Sequence, residues 1–169
     1  MEYTFHTRLE GSIVLTSSFD THTALQKDKT LYKFIWVRSG RLVLEVDHVE
    51  IILEKDDVIP LTPFHYLRIK QVEGEYLTIL FNSNFYCIYG HDKEVSCNGF
   101  LFNGSSRILK LTLSPEQASG LDDVVGRLAA EYAIRDSMQE EMLRIMLKRF
   151  IITCTRIARG HLSITEEQE

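Results

Sequence analysis

Residues 27–67 read KDKTLYKFIWVRSGRLVLEVDHVEIILEKDDVIPLTPFHYL, and this stretch decides the fold class. Runs rich in β-branched and aromatic residues, LYKFIWV, RLVLEV, VEIIL and DVIPL, are broken by Gly40, Asp47-His48 and Asp56-Asp57. Many short strands at such regular spacing indicate a sandwich or a small barrel. Gly40 adopts a positive φ cheaply, so VRSGRLV is expected to close a hairpin. Asp47-His48 and Asp56-Asp57 are expected to form the next two turns.

The pattern extends in both directions. IVLTS precedes the stretch, and YLRI, EYLTILF, FYCIY, GFLF and RILKLTL follow it, so residues from about 10 to 113 read as β-rich. After Leu113 the character changes. Ser114, Pro115 and Gln117 supply an N-cap, a proline at the first helical position and a capping-box partner. A first helix is expected to about Asp136, with interruptions near Gly120 or Gly126. Ser137 with Glu140 forms a second capping box, and Gly160 suits a C′ position, so a second helix is expected over 137–159. The expected organisation is a β-barrel over 1–113, a helical hairpin over 114–160 packed on it as one domain, and a linker-like tail over 161–169.

Composition bounds the function. The chain has 169 residues, 44% hydrophobic and 25% charged, which suits one globular domain and excludes disordered, collagen-like and membrane-spanning classes. Its net charge of −5 argues against a surface built to neutralise phosphates. The N-terminus shows no apolar stretch after a basic start, and three cysteines without a CxxC pair fit reduced thiols. A cytoplasmic location is expected. No nucleophile elbow, phosphate loop or HExxH motif is present, so hydrolase, kinase and metalloprotease readings lack support.

The second helix carries a heptad-like stripe of Leu143, Leu147, Phe150, Cys154 and Ile157. Met142, Ile145, Met146 and Ile152 widen the apolar surface. A helix apolar over so much of its circumference needs cover on two sides, which its own domain or a second subunit could supply. The stripe is the candidate homodimer interface.

Alternation along the first strand puts Lys27, Lys29, Lys33 and Ile35 on one face, with Tyr32, Phe34 and Trp36 on the other. Lysines facing a barrel interior would suit an anionic or carbonyl-bearing small ligand. The plainer reading leaves Lys27 and Lys29 in a solvated turn, since QKDKT reads easily as a loop. Lys33 lies between two aromatic residues and needs a carboxylate, a ligand or a route to water. Trp36 reads as core. Cys87, His91 and Cys97 match no compact zinc spacing, and Asp92, Asn98 and Gly99 read as a tight turn.

The 27–67 stretch resembles the cupin core of the N-terminal regulatory domain of AraC-family transcription factors. The resemblance rests on Gly40, on the turn at Asp47, and on Asp57-Val58-Ile59 with Pro63. FYCIYGHDKEVSCNGFLF and EEMLRIMLKRFIITCTRIARG are similar to one subgroup of these regulators, in which the helical pair dimerises. The resemblance implies a mainly β fold, a cupin or jelly-roll (double-stranded β-helix) barrel followed by a two-helix hairpin. It also implies a pocket lined by Leu67, Ile69, Tyr76 and Thr78 beside Lys29, Lys33 and Ile35.

Catalytic cupins carry an H-x-H pair, a glutamate and a later histidine. Those positions hold Lys27, Lys29, Lys33 and Leu67 here. A protonated amine has no lone pair and repels a cation, so no metal, cofactor or catalytic residue is expected. The family's helix-turn-helix pair has no counterpart after Gly160. The chain is therefore expected to be an effector-binding and dimerisation domain that controls DNA-binding motifs outside it, with no contact of its own to DNA or membrane. Two other readings stay open: a cupin enzyme, isomerase or dioxygenase, with a non-standard site, and a ligandless dimerisation scaffold.

Overall fold

A computed structural model describes residues 1–88, 101–102 and 108–168, with 162–168 as helical backbone. The strands are β1 (Glu2–His6), β2 (Ser12–Thr16), β3 (Leu31–Val46), β4 (Val49–Glu54), β5 (Asp57–Leu61), β6 (Leu67–Asn82) and β7 (Leu111–Thr112). A 3-10 turn (Phe19–Thr21) and helix α1 (Thr23–Lys27) lie between β2 and β3, and helices α2 (Pro115–Glu131) and α3 (Gln139–Gln168) follow β7. All pairings are antiparallel, in the order β1-β2-β6-β3-β5-β7, with β4 also on β3.

Two strands of 16 residues each, β3 and β6, pair along their lengths and carry the barrel. Gly40 does not close a hairpin. It lies inside β3, paired with Gly74 of β6, next to a register shift between Val37 and Ser39. Both glycines have positive φ, 67° and 135°. The shift changes which parity of residue faces inward: Leu31, Ile35 and Val37 before it, Leu42, Leu44 and Val46 after it, all in one buried cluster. The ribbon thus folds over at the two glycines and wraps both halves around the same interior. The expected turns do form. Asp47, His48 and Asp56 have positive φ, and the Asp47 backbone and carboxylate bond to Tyr66 at 2.9 and 2.8 Å.

The other face of the ribbon packs on the helices. Tyr32, Phe34 and Trp36 join Ile79 and Phe81 of β6, Leu121, Val124 and Leu128 of α2, and α3 in a second cluster. Phe34 meets Phe150 edge-on at 5.0 Å. Trp36 is core as expected, its indole N–H donating to Asp56 at 3.3 Å and its ring under the Arg38 guanidinium. The fold is a mainly β, cupin-type barrel with C-terminal helices, as the resemblance implies.

The α2 start matches its signal, with the reciprocal Ser114–Gln117 capping box in place. Gly120 and Gly126 do not interrupt α2, since each lies on an open side of a helix whose apolar residues pack inward. The helix ends at Glu131 rather than Asp136, and α3 runs through Gly160 to Gln168. Residues 85–88 form no strand, and Leu101 and Phe102 are helical; Phe85, Tyr86, Ile88, Leu101 and Phe102 instead fill the layer between barrel and helices. Strand β1 and helix α1 carry no strong sequence signal, and both are held by neighbours. Residues His91, Asp92, Cys97, Asn98 and Gly99 lie outside the described residues.

The stripe Leu143, Leu147, Phe150, Cys154 and Ile157 is covered by the chain itself. All five are buried within the one chain, against β3, β6 and α2. The stripe has the right period for a partner helix, but barrel and α2 supply the cover. Burial also raises the Cys154 thiol pKa well above its usual value, so this thiol is a packing group. The exposed apolar face of α3 is another one, carrying Met142 and Ile145, with Met138 exposed just before the helix.

Candidate functional site

The segment that leads into β3 and the segment that leads into β6 meet at one mouth of the barrel, around a cavity of about 340 Å³. Phe19, Thr23 and Gln26 form one wall, and Pro63, His65 and Tyr66 another. Leu67 and Ile69 contribute apolar surface, and Lys27, Asp28, Lys29, Lys33 and Arg68 contribute charge. Lys27, Lys29, Lys33 and Leu67, the residues that the resemblance sets against the metal-ligand pattern, all line this cavity. Among the described residues no group of three or more His, Cys, Asp or Glu side chains is gathered to hold a metal.

Lys33 is the central group. It is in β3, opposite Leu61 of β5 and Leu80 of β6, and its residue exposure is 6%. The Nζ donates to the Leu31 carbonyl at 3.3 Å, a long bond for a charged donor. Burial pushes its pKa down to about 8; Asp28 opposes the shift and Lys29 adds to it.

Lys27 and Lys29 do not lie on the strand. Lys27 closes α1 and Lys29 occupies a turn in which the Asp28 carboxylate accepts from the Thr30 N–H and hydroxyl at 2.8 and 2.5 Å. The loop reading of QKDKT thus describes their backbone, while the cavity reading describes where they sit. Lys29 also packs over the Tyr66 ring at 5.3 Å.

Three predicted pocket residues lie outside the cavity lining. Ile35, Tyr76 and Thr78 are buried, with Ile35 and Tyr76 in the interior cluster and Thr78 paired to both Ile35 and Thr16. The Thr78 hydroxyl finds no hydrogen-bond partner among the described residues. Tyr76 serves a structural role, because its hydroxyl accepts from the Asp20 N–H at 2.7 Å and donates to the Asp20 carboxylate. That pair fastens the 3-10 turn beside the mouth. Burial, then the bond to Asp20, raises the Tyr76 pKa well above the usual range.

His65 also lines the cavity. In the fold its Nδ1 accepts from the Thr62 N–H at 3.0 Å, which leaves Nε2 as the protonated nitrogen of the neutral ring. Burial lowers its pKa; the charge of Lys33 adds to the effect and Asp47 opposes it. Phe19, Gln26 and Arg68 are unmarked in the sequence, because only the closing of the turn and of β6 onto the mouth brings them there.

No protein-family model matches the chain, and no curated protein matches it. Solved structures similar to it include the AraC-like transcriptional activator CuxR, 13% identical with a TM-score of 0.48, over 88% of this chain and 48% of that one. Apo ToxT from Vibrio cholerae, as a lysine-to-alanine variant, is 15% identical with a TM-score of 0.45, over 89% and 52%. A cupin protein from Bacteroides fragilis is 12% identical with a TM-score of 0.31, over 43% and 64%. The likeness is confined to the fold, and this chain spans about half the length of the CuxR and ToxT chains. No helix among the described residues is long and apolar enough to cross a membrane.

Proposed function

We propose that this chain is a non-catalytic regulatory module whose barrel mouth binds a small carboxylate-bearing effector and whose helices couple it to DNA-binding motifs outside the chain. The observation that carries the reading is Lys33, a nearly buried amine on a cavity with Lys27 and Lys29 at its rim. An unpaired buried ammonium is costly, and an anion is the ligand that offsets the cost. Regulation would follow by linkage: the effector favours whichever arrangement of the wider protein holds the mouth in its binding form. Helix α3 would serve as the dimer contact through Met142 and Ile145, with Met138 just before it.

Binding is tested by calorimetry with a panel of small mono- and dicarboxylates at pH 7. At least one should bind, more weakly at high salt, and Lys33→Met should abolish the heat. A panel that gives no binding to the folded wild-type chain overturns the proposal. The second reading, a ligandless scaffold, draws on the interior beneath the mouth, which is filled by Ile35, Leu44, Ile59 and Leu80. A metal-dependent cupin enzyme draws on no feature of the mouth, because amines occupy three of the four ligand positions.

A further inference from the structure

We propose that Lys33 is a covalent docking site, forming a reversible imine with a small ligand that bears a carbonyl beside its carboxylate, a 2-oxo acid. The inference rests on the anion-binding reading of the same mouth and adds a bond to it. Most lysines are poor nucleophiles at neutral pH because they are protonated. Lys33 differs by position. It is nearly buried, it reaches a cavity large enough for a small acid, and its amine has one long hydrogen bond to a backbone carbonyl.

The groups around it divide the work. With a pKa near 8 against the usual 10.5, the neutral amine is roughly 300-fold more abundant at pH 7 than for an exposed lysine. Lys27 and Lys29 line the same cavity as amines for a carboxylate, with Asp28 between them in the chain and also on the lining. His65 keeps its Nδ1 engaged with Thr62 and presents Nε2–H as a donor for a carbonyl oxygen; Arg68 and Asp47 complete the charged groups near the mouth. Leu67, Ile69 and Phe19 give the remainder of the ligand apolar contact.

The step balances without an outside reagent. The Nζ lone pair forms a bond to the carbonyl carbon, the carbonyl oxygen leaves as water with both hydrogens of the neutral amine, and C=O becomes C=N. No oxidation state changes, and hydrolysis reverses it.

The test uses the full chain with glyoxylate, the smallest 2-oxo acid, with and without cyanoborohydride, followed by peptide mass mapping. The expected result is a saturable carboxymethyl adduct on Lys33, formed at least about tenfold faster at pH 7 than on the exposed Lys55 and Lys110. Acetate should compete, and Lys33→Met should lose the adduct while still unfolding cooperatively. Glyoxylate binding measured without reductant separates the two ideas. Binding with no Lys33 adduct overturns the imine and leaves the anion site standing. Neither binding nor adduct overturns both, and labelling spread evenly over surface lysines overturns the imine.

Discussion

Gly40 and Gly74 face each other across the β3–β6 ribbon so closely that a Cβ on Gly40 would lie 1.8 Å from the Glu73 carbonyl oxygen. Every inward-facing residue downstream depends on this fold-over, since it sets the parity of both strands. Gly40→Ala meets both a positive φ and backbone that cannot yield. It is expected to cost at least about 3 kcal/mol, read as a lowered urea midpoint. Gly126→Ala is the control. It lies exposed on α2, where a Cβ would meet nothing within 4 Å among the described residues beyond its own helix backbone, and should stabilise by roughly 0.5–1 kcal/mol.

Lys33→Met should make the chain more stable. The folded pKa lies below the unfolded one, so both states are protonated below about pH 8 and the full cost of burying the charge is present there. Between pH 8 and 10.5 the unfolded chain holds more proton, and stability rises with pH as the cost is relieved. The cost is about 3 kcal/mol on the linkage scale. Urea titrations of both proteins across this window should show the advantage of the methionine variant at pH 7 shrinking towards pH 10. A constant difference would contradict the assignment.

The two faces of α3 should respond differently to charge. Leu147→Asp puts a carboxylate in the shared core and is expected to leave the chain unfolded, while Leu147→Ala costs about 2–5 kcal/mol. Met142→Asp and Ile145→Asp lie on the exposed face and should fold normally. If α3 mediates dimerisation through that face, sedimentation will show the paired variant as monomer where the wild type is dimer. A wild type that stays monomeric at high concentration defeats the dimer proposal.

Tyr76→Phe removes both bonds to Asp20 and leaves its amide without the Tyr76 acceptor. A loss of about 1–3 kcal/mol is expected. Hydrogen exchange should quicken selectively in residues 19–27, the wall of the mouth, and effector affinity should fall with it. Uniform quickening throughout the barrel would instead make Tyr76 an ordinary core residue.

Local chemistry made much of the fold legible. Alternation in LYKFIWV assigned Lys33 and Ile35 to one face and Phe34 and Trp36 to the other, and the fold keeps that division. The Ser114–Gln117 box marked the start of α2 within its first turn. Such signals are short-ranged, so neighbouring residues suffice to read them. The sequence determined a β-rich region, a helical C-terminal region and a lysine set between aromatic residues inside an apolar strand.

Tertiary structure alone decided which side of α3 is free and what surrounds Lys33. A heptad stripe states that a helix must be covered; whether the cover is its own barrel or a second chain depends on distances no spacing rule contains. Likewise His65, Phe19 and Gln26 reach the mouth only because two facing glycines fold a long ribbon over and bring residues distant in sequence around one cavity.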